Sequence, residues 1–417
     1  MRILIASAHR NLVGGVEKYL QAVLPGLQER GHDVAFLYEH PADPKHEQID
    51  SPSGFLHSWC LAGKDAKAVL GSVAEWKPDI VYSHGFDGAE SVAVENSLLE
   101  AYPVALYVHN YDRTCSTGRK CHSFPQIQIC TRRLGPACLL LHYPRRCGGL
   151  NPGTMWREYQ RHVELNARLS DHQAILVASR YMHREMERHG VSAEKLHLAP
   201  LPTTDVIPDA LPPAPKRLTG KIIFVGRLTD IKGAKHLIQA IPSAARRLDR
   251  QLSLTVAGDG PDRGVLEETA QHLGVTVEFA GWVHTRQKLD LMREADLLAV
   301  PSLWPEPFGL VGIEAGCLGV PAVGYAVGGI PDWLIAGESG ELAPGDPPTI
   351  DGLADAIVRA LGDPGHYQHL CSGAWKLAQR FTLENHLAQL EPILNETGIT
   401  TDAAGIGLSL QHARGPE

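Results

Sequence analysis

The chain has 417 residues, too many for one ordinary domain and enough for two of about 150–200 residues each. Apolar residues at 44% and charged residues at 21% exclude a disordered chain. The net charge of −8, from 39 Lys and Arg against 47 Asp and Glu, argues against a general nucleic-acid binder.

The opening MRILIASAHR is apolar for only a few residues and has no small-residue cleavage site, so it reads as a first strand rather than a signal peptide. No run approaches the ~20 apolar residues of a membrane span. These features point to the cytoplasm. Strands are predicted at 2–7, 33–38, 79–83, 104–109 and 174–178, because these runs are rich in Val, Ile, Leu and Ala with little polar alternation. Between the first two, Val16, Leu20, Val23, Leu24 and Leu27 form one helical stripe, which Gly31 terminates. Alternating strand and helix implies a parallel, doubly wound sheet.

A proline-rich stretch from Pro200 to Pro215 breaks the rhythm and reads as a linker. Strands resume at 221–225, 252–257, 275–280, 296–300 and 322–325, with helices near 233–249, 262–273, 285–294 and 309–318 and more after 350. The expected organisation is an N-terminal domain over 1–205, a linker over 206–219 and a second domain over 220–381. A C-terminal helix over 382–400 is expected to pack back on the first domain, followed by a tail over 401–417. Two such α/β halves make a cleft, and small molecules bind at the carboxyl ends of strands in such clefts.

Gly14-Gly15 precedes the first helix, where backbone can approach a ligand and unpaired N–H groups face an anion. The dinucleotide fingerprint G-x-G-x-x-G is absent there, which disfavours a nicotinamide enzyme. Arg227 and Lys232 share the loop after the strand at 221–225, and two cations there suit a diphosphate. The stretch SLWPEPFGLVGIE fixes Glu306 between Pro305 and Pro307, opens a helix at Gly309 and carries Glu314 two turns later. Carboxylates accept hydrogen bonds from sugar hydroxyls, and a helix start holds phosphate.

The segments G-G-x-E at 14–17, G-R-L-x-x-x-K-G at 226–233, G-D-G-P at 258–261 and E-P-F-G-L-x-x-x-E at 306–314 resemble the retaining glycosyltransferases of family 4, and the likeness runs from Gly14 to about Phe381. The resemblance implies the GT-B fold, with two Rossmann-like doubly wound domains facing an interdomain cleft. It implies transfer of a sugar from a nucleotide-diphosphate sugar, UDP before GDP, to an acceptor hydroxyl with retention, in polysaccharide, glycolipid or glycoconjugate synthesis. In that likeness Arg227 and Lys232 bind the diphosphate, Glu306 holds hydroxyls of the transferred sugar and Glu314 the ribose. Phe308, Gly309 and Leu310 approach sugar and phosphate by backbone, and Gly14-Gly15 closes over the diphosphate. His109 contacts the donor sugar, and the base is read near Val283. No metal or other cofactor is expected. The alternatives are an epimerase or hydrolase of the same fold, or a non-catalytic nucleotide-sugar binder.

Eight cysteines do not suggest a disulfide scaffold, yet Cys115, Cys121, Cys130, Cys138 and Cys147 lie in one insert at 111–153. Metal binding, disulfides and simple packing all remain open for them. The insert is also basic, so an anionic acceptor or peripheral contact with an anionic membrane face is expected there.

Overall fold

A computed structural model describes residues 1–12, 14–43, 45, 47–49, 57–88, 91–203 and 218–399. The expected linker, apart from its last two residues, and the expected tail lie outside the described residues. Two compact units are present. The first comprises the described residues of Met1–Tyr107, Asp171–Ile175 and Ala388–Glu417, and the second Val108–Ser170 and Leu176–Leu387.

The first unit is built on β1 (Arg2–Ser7), α1 (Gly15–Glu29), β2 (Asp33–Tyr38), β3 (Ser58–Cys60), α2 (Ala66–Trp76), β4 (Ile80–Ser83), α3 (Ser91–Ala101) and β5 (Val104–Val108). The strands lie in the order β3-β2-β1-β4-β5, with β1 parallel to both β2 and β4. RILIAS buries five of its six residues, as a strand covered on both faces must. Leu4, Leu37, Val81 and Val104 pack with Val69 and Val73 of α2 and with Val94 and Leu98 of α3. Each such side chain contributes about 1.5–3 kcal/mol on burial. The Asp65 side chain caps α2 by accepting from the Lys67 N–H at 3.0 Å. The three-residue β3, too short to show periodicity, is absent from the sequence prediction.

The second unit begins with the insert, which holds β6 (Cys121–His122) antiparallel to β7 (Gln128–Ile129), then α4 (Ala137–Leu141) and α5 (Pro152–Ala167). After β8 (Ala174–Val177), α6 (Arg180–Arg188) and β9 (Leu196–Leu198) comes a regular α/β array. It runs β10 (Lys221–Val225), α7 (Ala234–Leu248), β11 (Ser253–Ala257), α8 (Arg263–Leu273), β12 (Thr276–Gly281), α9 (Thr285–Glu294), β13 (Leu297–Val300), α10 (Leu310–Cys317), β14 (Ala322–Tyr325) and β15 (Gly340–Ala343). α11 (Ile350–Gly362), α12 (Pro364–Ala378) and α13 (Leu383–Ile399) follow. The parallel sheet has the order β12-β11-β10-β13-β14-β15, so the chain reverses direction beside β10. The sequence prediction omits β15, because Gly340 and Glu341 do not read as a buried strand. The Glu341 carboxylate is satisfied there by Arg359 and His366, each at 2.8 Å. No helix among the described residues is long and apolar enough to cross a membrane.

Candidate active site

The strands β10 and β13 lie side by side at the reversal point, and their carboxyl ends carry the two densest motifs. After β10 the chain makes a short turn, Asp230–Lys232, then enters α7 through Gly233, whose backbone is left-handed at φ 71°. A Cβ there would collide with the Pro301 carbonyl oxygen, so glycine alone lets the two loops approach. That approach sets Lys232 against Glu306.

The Lys232 Nζ lies 2.6 Å from the Glu306 Oε1, and the Ser302 hydroxyl donates to the same oxygen at 2.6 Å. Lys232 also stands 5.0 Å from the centre of the Trp304 ring. Glu306 is buried, which by itself raises a carboxyl's pKa. The Lys232 charge and the hydrogen bonds outweigh this and hold it below the ordinary value, so Glu306 is an anion at neutral pH. Its loop is pinned from the insert. The buried Tyr111 hydroxyl donates to the Pro305 carbonyl at 2.6 Å, and its ring meets Trp304 edge-on at 6.0 Å.

Beyond the loop, Phe308 is buried edge-to-face on Phe381 at 5.5 Å, and its carbonyl accepts from the Trp333 indole at 2.6 Å. Gly309, at φ 97°, caps α10. The α10 N-terminus, Lys232, Ser302 and Glu306 line a cavity of about 210 Å³ with Phe224 and Val300. Cation, anion and free helix N–H groups thus meet in one concave site, which suits a phosphorylated polyol. Arg227 is exposed on the same loop as Lys232. About one turn along α10, Glu314 pairs with Lys288 of α9 at 2.6 Å. Val283 lies half-buried in the loop between β12 and α9.

His109 directly follows β5. Burial, with a smaller effect from His386, pushes its imidazole down to about 3, so it is neutral and offers one donor and one acceptor. Gly14 and Gly15 belong to the first unit. Gly14 is extended, Gly15 opens α1, and a Cβ at Gly15 would meet open space.

Sequence reasoning missed several residues. Lys288 reads as a solvated helix charge, and Ser302 as a loop hydroxyl. Four residues before a proline-locked glutamate was the available signal for Ser302. Tyr111 reads as part of the insert. In the first unit, His9, His40 and Asp87 follow β1, β2 and β4 and offer ligand atoms within 4.8 Å of one another. His40 Nε2 lies 2.6 Å from an Asp87 oxygen and its ring stacks on His9 at 4.5 Å. The buried Glu39 fixes this corner by accepting from the Asp87 and Gly88 N–H groups, each at 2.8 Å.

All five insert cysteines are free thiols, and no three of them bring their sulfurs within 4.8 Å of one another. Burial pushes Cys121 up to about 12 and Cys147 to about 11, as for thiols that pack as small apolar groups.

Two family models match the chain in succession. The model described as Glycosyltransferase Family 4 covers residues 13–203, and that described as Glycosyl transferases group 1 covers 215–376. The chain is 26% identical to a glycogen synthase of Mycobacterium tuberculosis (strain ATCC 25618 / H37Rv) over 407 residues, 90% of this chain and 89% of that one. It is 34% identical over 168 residues to the uncharacterized glycosyltransferase MJ1607 of Methanocaldococcus jannaschii, a match spanning 39% of this chain and 42% of that protein's length. Among solved structures, Anabaena Alr3699/HepE in complex with UDP aligns with a TM-score of 0.66 at 19% identity, over 95% of this chain and 100% of that one.

Proposed function

For a chain that belongs to glycosyltransferase family 4 and has the GT-B fold, we propose transfer of a sugar from a UDP-sugar to an acceptor hydroxyl, with retention of anomeric configuration. The observation that supports this most is the Lys232–Glu306–Ser302 arrangement at the start of α10. Lys232 and the exposed Arg227 bind the diphosphate, and the α10 N–H groups add a fixed dipole. Glu306, held ionised, accepts hydroxyls of the transferred sugar once the diphosphate draws Lys232 away. Glu314 takes the ribose hydroxyls and the Val283 loop the base. The Phe308–Leu310 backbone lines the sugar, and the neutral His109 hydrogen-bonds it.

In the reaction the acceptor oxygen bonds to the anomeric carbon on the face from which the diphosphate departs. The carbon–oxygen bond to the phosphate breaks with its electron pair passing to the phosphate oxygen, which takes the acceptor's proton. The protein's part is preorganised positive charge at that phosphate. A base on His109 is disfavoured, since a group that protonates near 3 is a weak base.

UDP rather than GDP is favoured by the likeness to Anabaena Alr3699/HepE, which is solved in complex with UDP and with UDP-glucose. The acceptor is read as a polyhydroxyl compound of polysaccharide or glycolipid synthesis. Thermal-shift titration with UDP-, GDP-, ADP- and dTDP-sugars tests the donor. A ligand at 100 times its Kd adds about 2.7 kcal/mol of stability, so the UDP series should stand apart. A larger shift with GDP-sugars would reverse the base assignment, and no shift with any would remove the donor site.

A further inference from the structure

Residues 113–157 contain eight Arg and Lys and no Asp or Glu, a segment of +8 in a chain of −8. Four of these cations are committed internally, Arg145 among them through a 2.9 Å hydrogen bond with His122. Lys120 is buried against Glu185 at 2.5 Å, Arg119 pairs with Asp230 at 3.1 Å, and Arg113 is buried. Arg132, Arg133, Arg146 and Arg157 are exposed. The same segment holds five of the nine exposed large apolar side chains among the described residues: Phe124, Leu140, Tyr143, Leu150 and Trp156. Leu140 and Leu150 are 78% and 80% exposed, unusual for leucine in a folded chain.

Phe124, Tyr143, Arg145 and Arg146 adjoin one another. The Phe124 N–H donates to the Arg145 carbonyl at 3.1 Å, and the Arg146 guanidinium lies 5.4 Å from the centre of the Phe124 ring. Arg146 N–H closes the turn onto the Tyr143 carbonyl at 3.1 Å, three residues past Leu140. Leu150, two residues before α5, lines an open cavity of about 360 Å³ with His142, Thr154 and Met155, and Trp156 lies on α5 itself.

We propose that this face of the insert docks on an anionic lipid bilayer. Leucine and aromatic tips beside arginines, with Glu158 the one acid lining the Leu150 cavity, match the two layers of such a surface. The apolar tips enter the headgroup boundary while guanidinium groups pair with lipid phosphates. A merely solvated loop accounts for the charge but not for the exposed leucines. A single-stranded nucleic acid or acidic glycan would use the arginines but gain little from Leu140 and Leu150. The inference rests on the insert alone and stands apart from the donor assignment.

The test is co-sedimentation of the full chain with vesicles of phosphatidylcholine, with and without phosphatidylglycerol. The wild type should partition into the anionic vesicles only, with binding weakened by salt. The combined Arg132→Ala, Arg133→Ala and Arg146→Ala variant should lose on the order of 100-fold in partition coefficient. Leu140→Ser with Leu150→Ser should lose about 10-fold or more. UDP-induced thermal shifts retained in both variants would show that the fold persists and that the donor site is separate. No sedimentation of the wild type with anionic vesicles, or full binding by the leucine variant, would overturn the proposal. Equal release by soluble heparin in wild type and leucine variant would overturn it in favour of a polyanion site.

Discussion

The loop 301–310 and the segment 111–157, which joins the insert to the start of α5, lie in the same compact unit, and they treat polar and apolar groups in opposite ways. In the loop, a carboxylate is buried and every neighbour serves it: Lys232 and Ser302 at its oxygen, prolines on both sides, Tyr111 on the Pro305 carbonyl. In the insert, one cation is buried with Glu185, while leucines and arginines face outward together. On the proposed function, the loop takes a small charged ligand that displaces an internal partner. The insert is shaped for an extended surface. A buried ion pair that a ligand opens and one that nothing opens should respond differently to mutation.

The largest effect is expected on stability at the closed pair. Lys120 donates to the Thr114 and Arg132 carbonyls at 3.0 and 2.8 Å besides meeting Glu185. Lys120→Met should cost about 3–5 kcal/mol of unfolding free energy in urea, because Glu185 is left buried beside fewer cations. A loss no greater than that of a surface lysine would show the pair to be dispensable. At the open pair, Glu306→Gln should lower kcat by roughly 10²–10³ with UDP affinity largely retained, as steady-state kinetics and calorimetry would show. Unchanged turnover would remove Glu306 from the site.

Lys232→Ala should weaken UDP binding by ~1.5–3 kcal/mol and uridine binding much less. An equal loss for both ligands would contradict the phosphate role. The smallest effect concerns pH. Burial holds the imidazole of His386 down to about 4, so the fold favours its neutral form. Its contribution is complete above the ordinary value near 6.5 and is lost as pH falls from 6.5 towards 4, at about 1.4 kcal/mol per unit. His386→Gln should flatten the stability slope in that window, and an unaltered slope would place the effect elsewhere.

The contrast also explains what the sequence disclosed. Unbroken apolar runs such as RILIAS and KIIFV identify buried parallel strands, and Glu306 between two prolines identifies itself as a fixed acid. Residues whose role depends on a partner far along the chain did not announce themselves. Lys288 acquires meaning only through Glu314, and Tyr111 only through the Pro305 carbonyl nearly two hundred positions away. β15 hides for the same reason, since Glu341 becomes tolerable in a strand only through Arg359 and His366. In the insert, composition disclosed the charge, but the exposure of Leu140 and Leu150 is a property of three dimensions.

The central claim is that the Lys232–Glu306 site receives a UDP-sugar and returns its sugar in the same configuration. Proton NMR of the first product formed from an α-configured UDP-sugar and a hydroxyl acceptor tests it most directly. The account predicts an α-linked product from the wild type, with its rate of appearance reduced in Glu306→Gln. A β-linked product, or free sugar alone with the acceptor untouched, would contradict it.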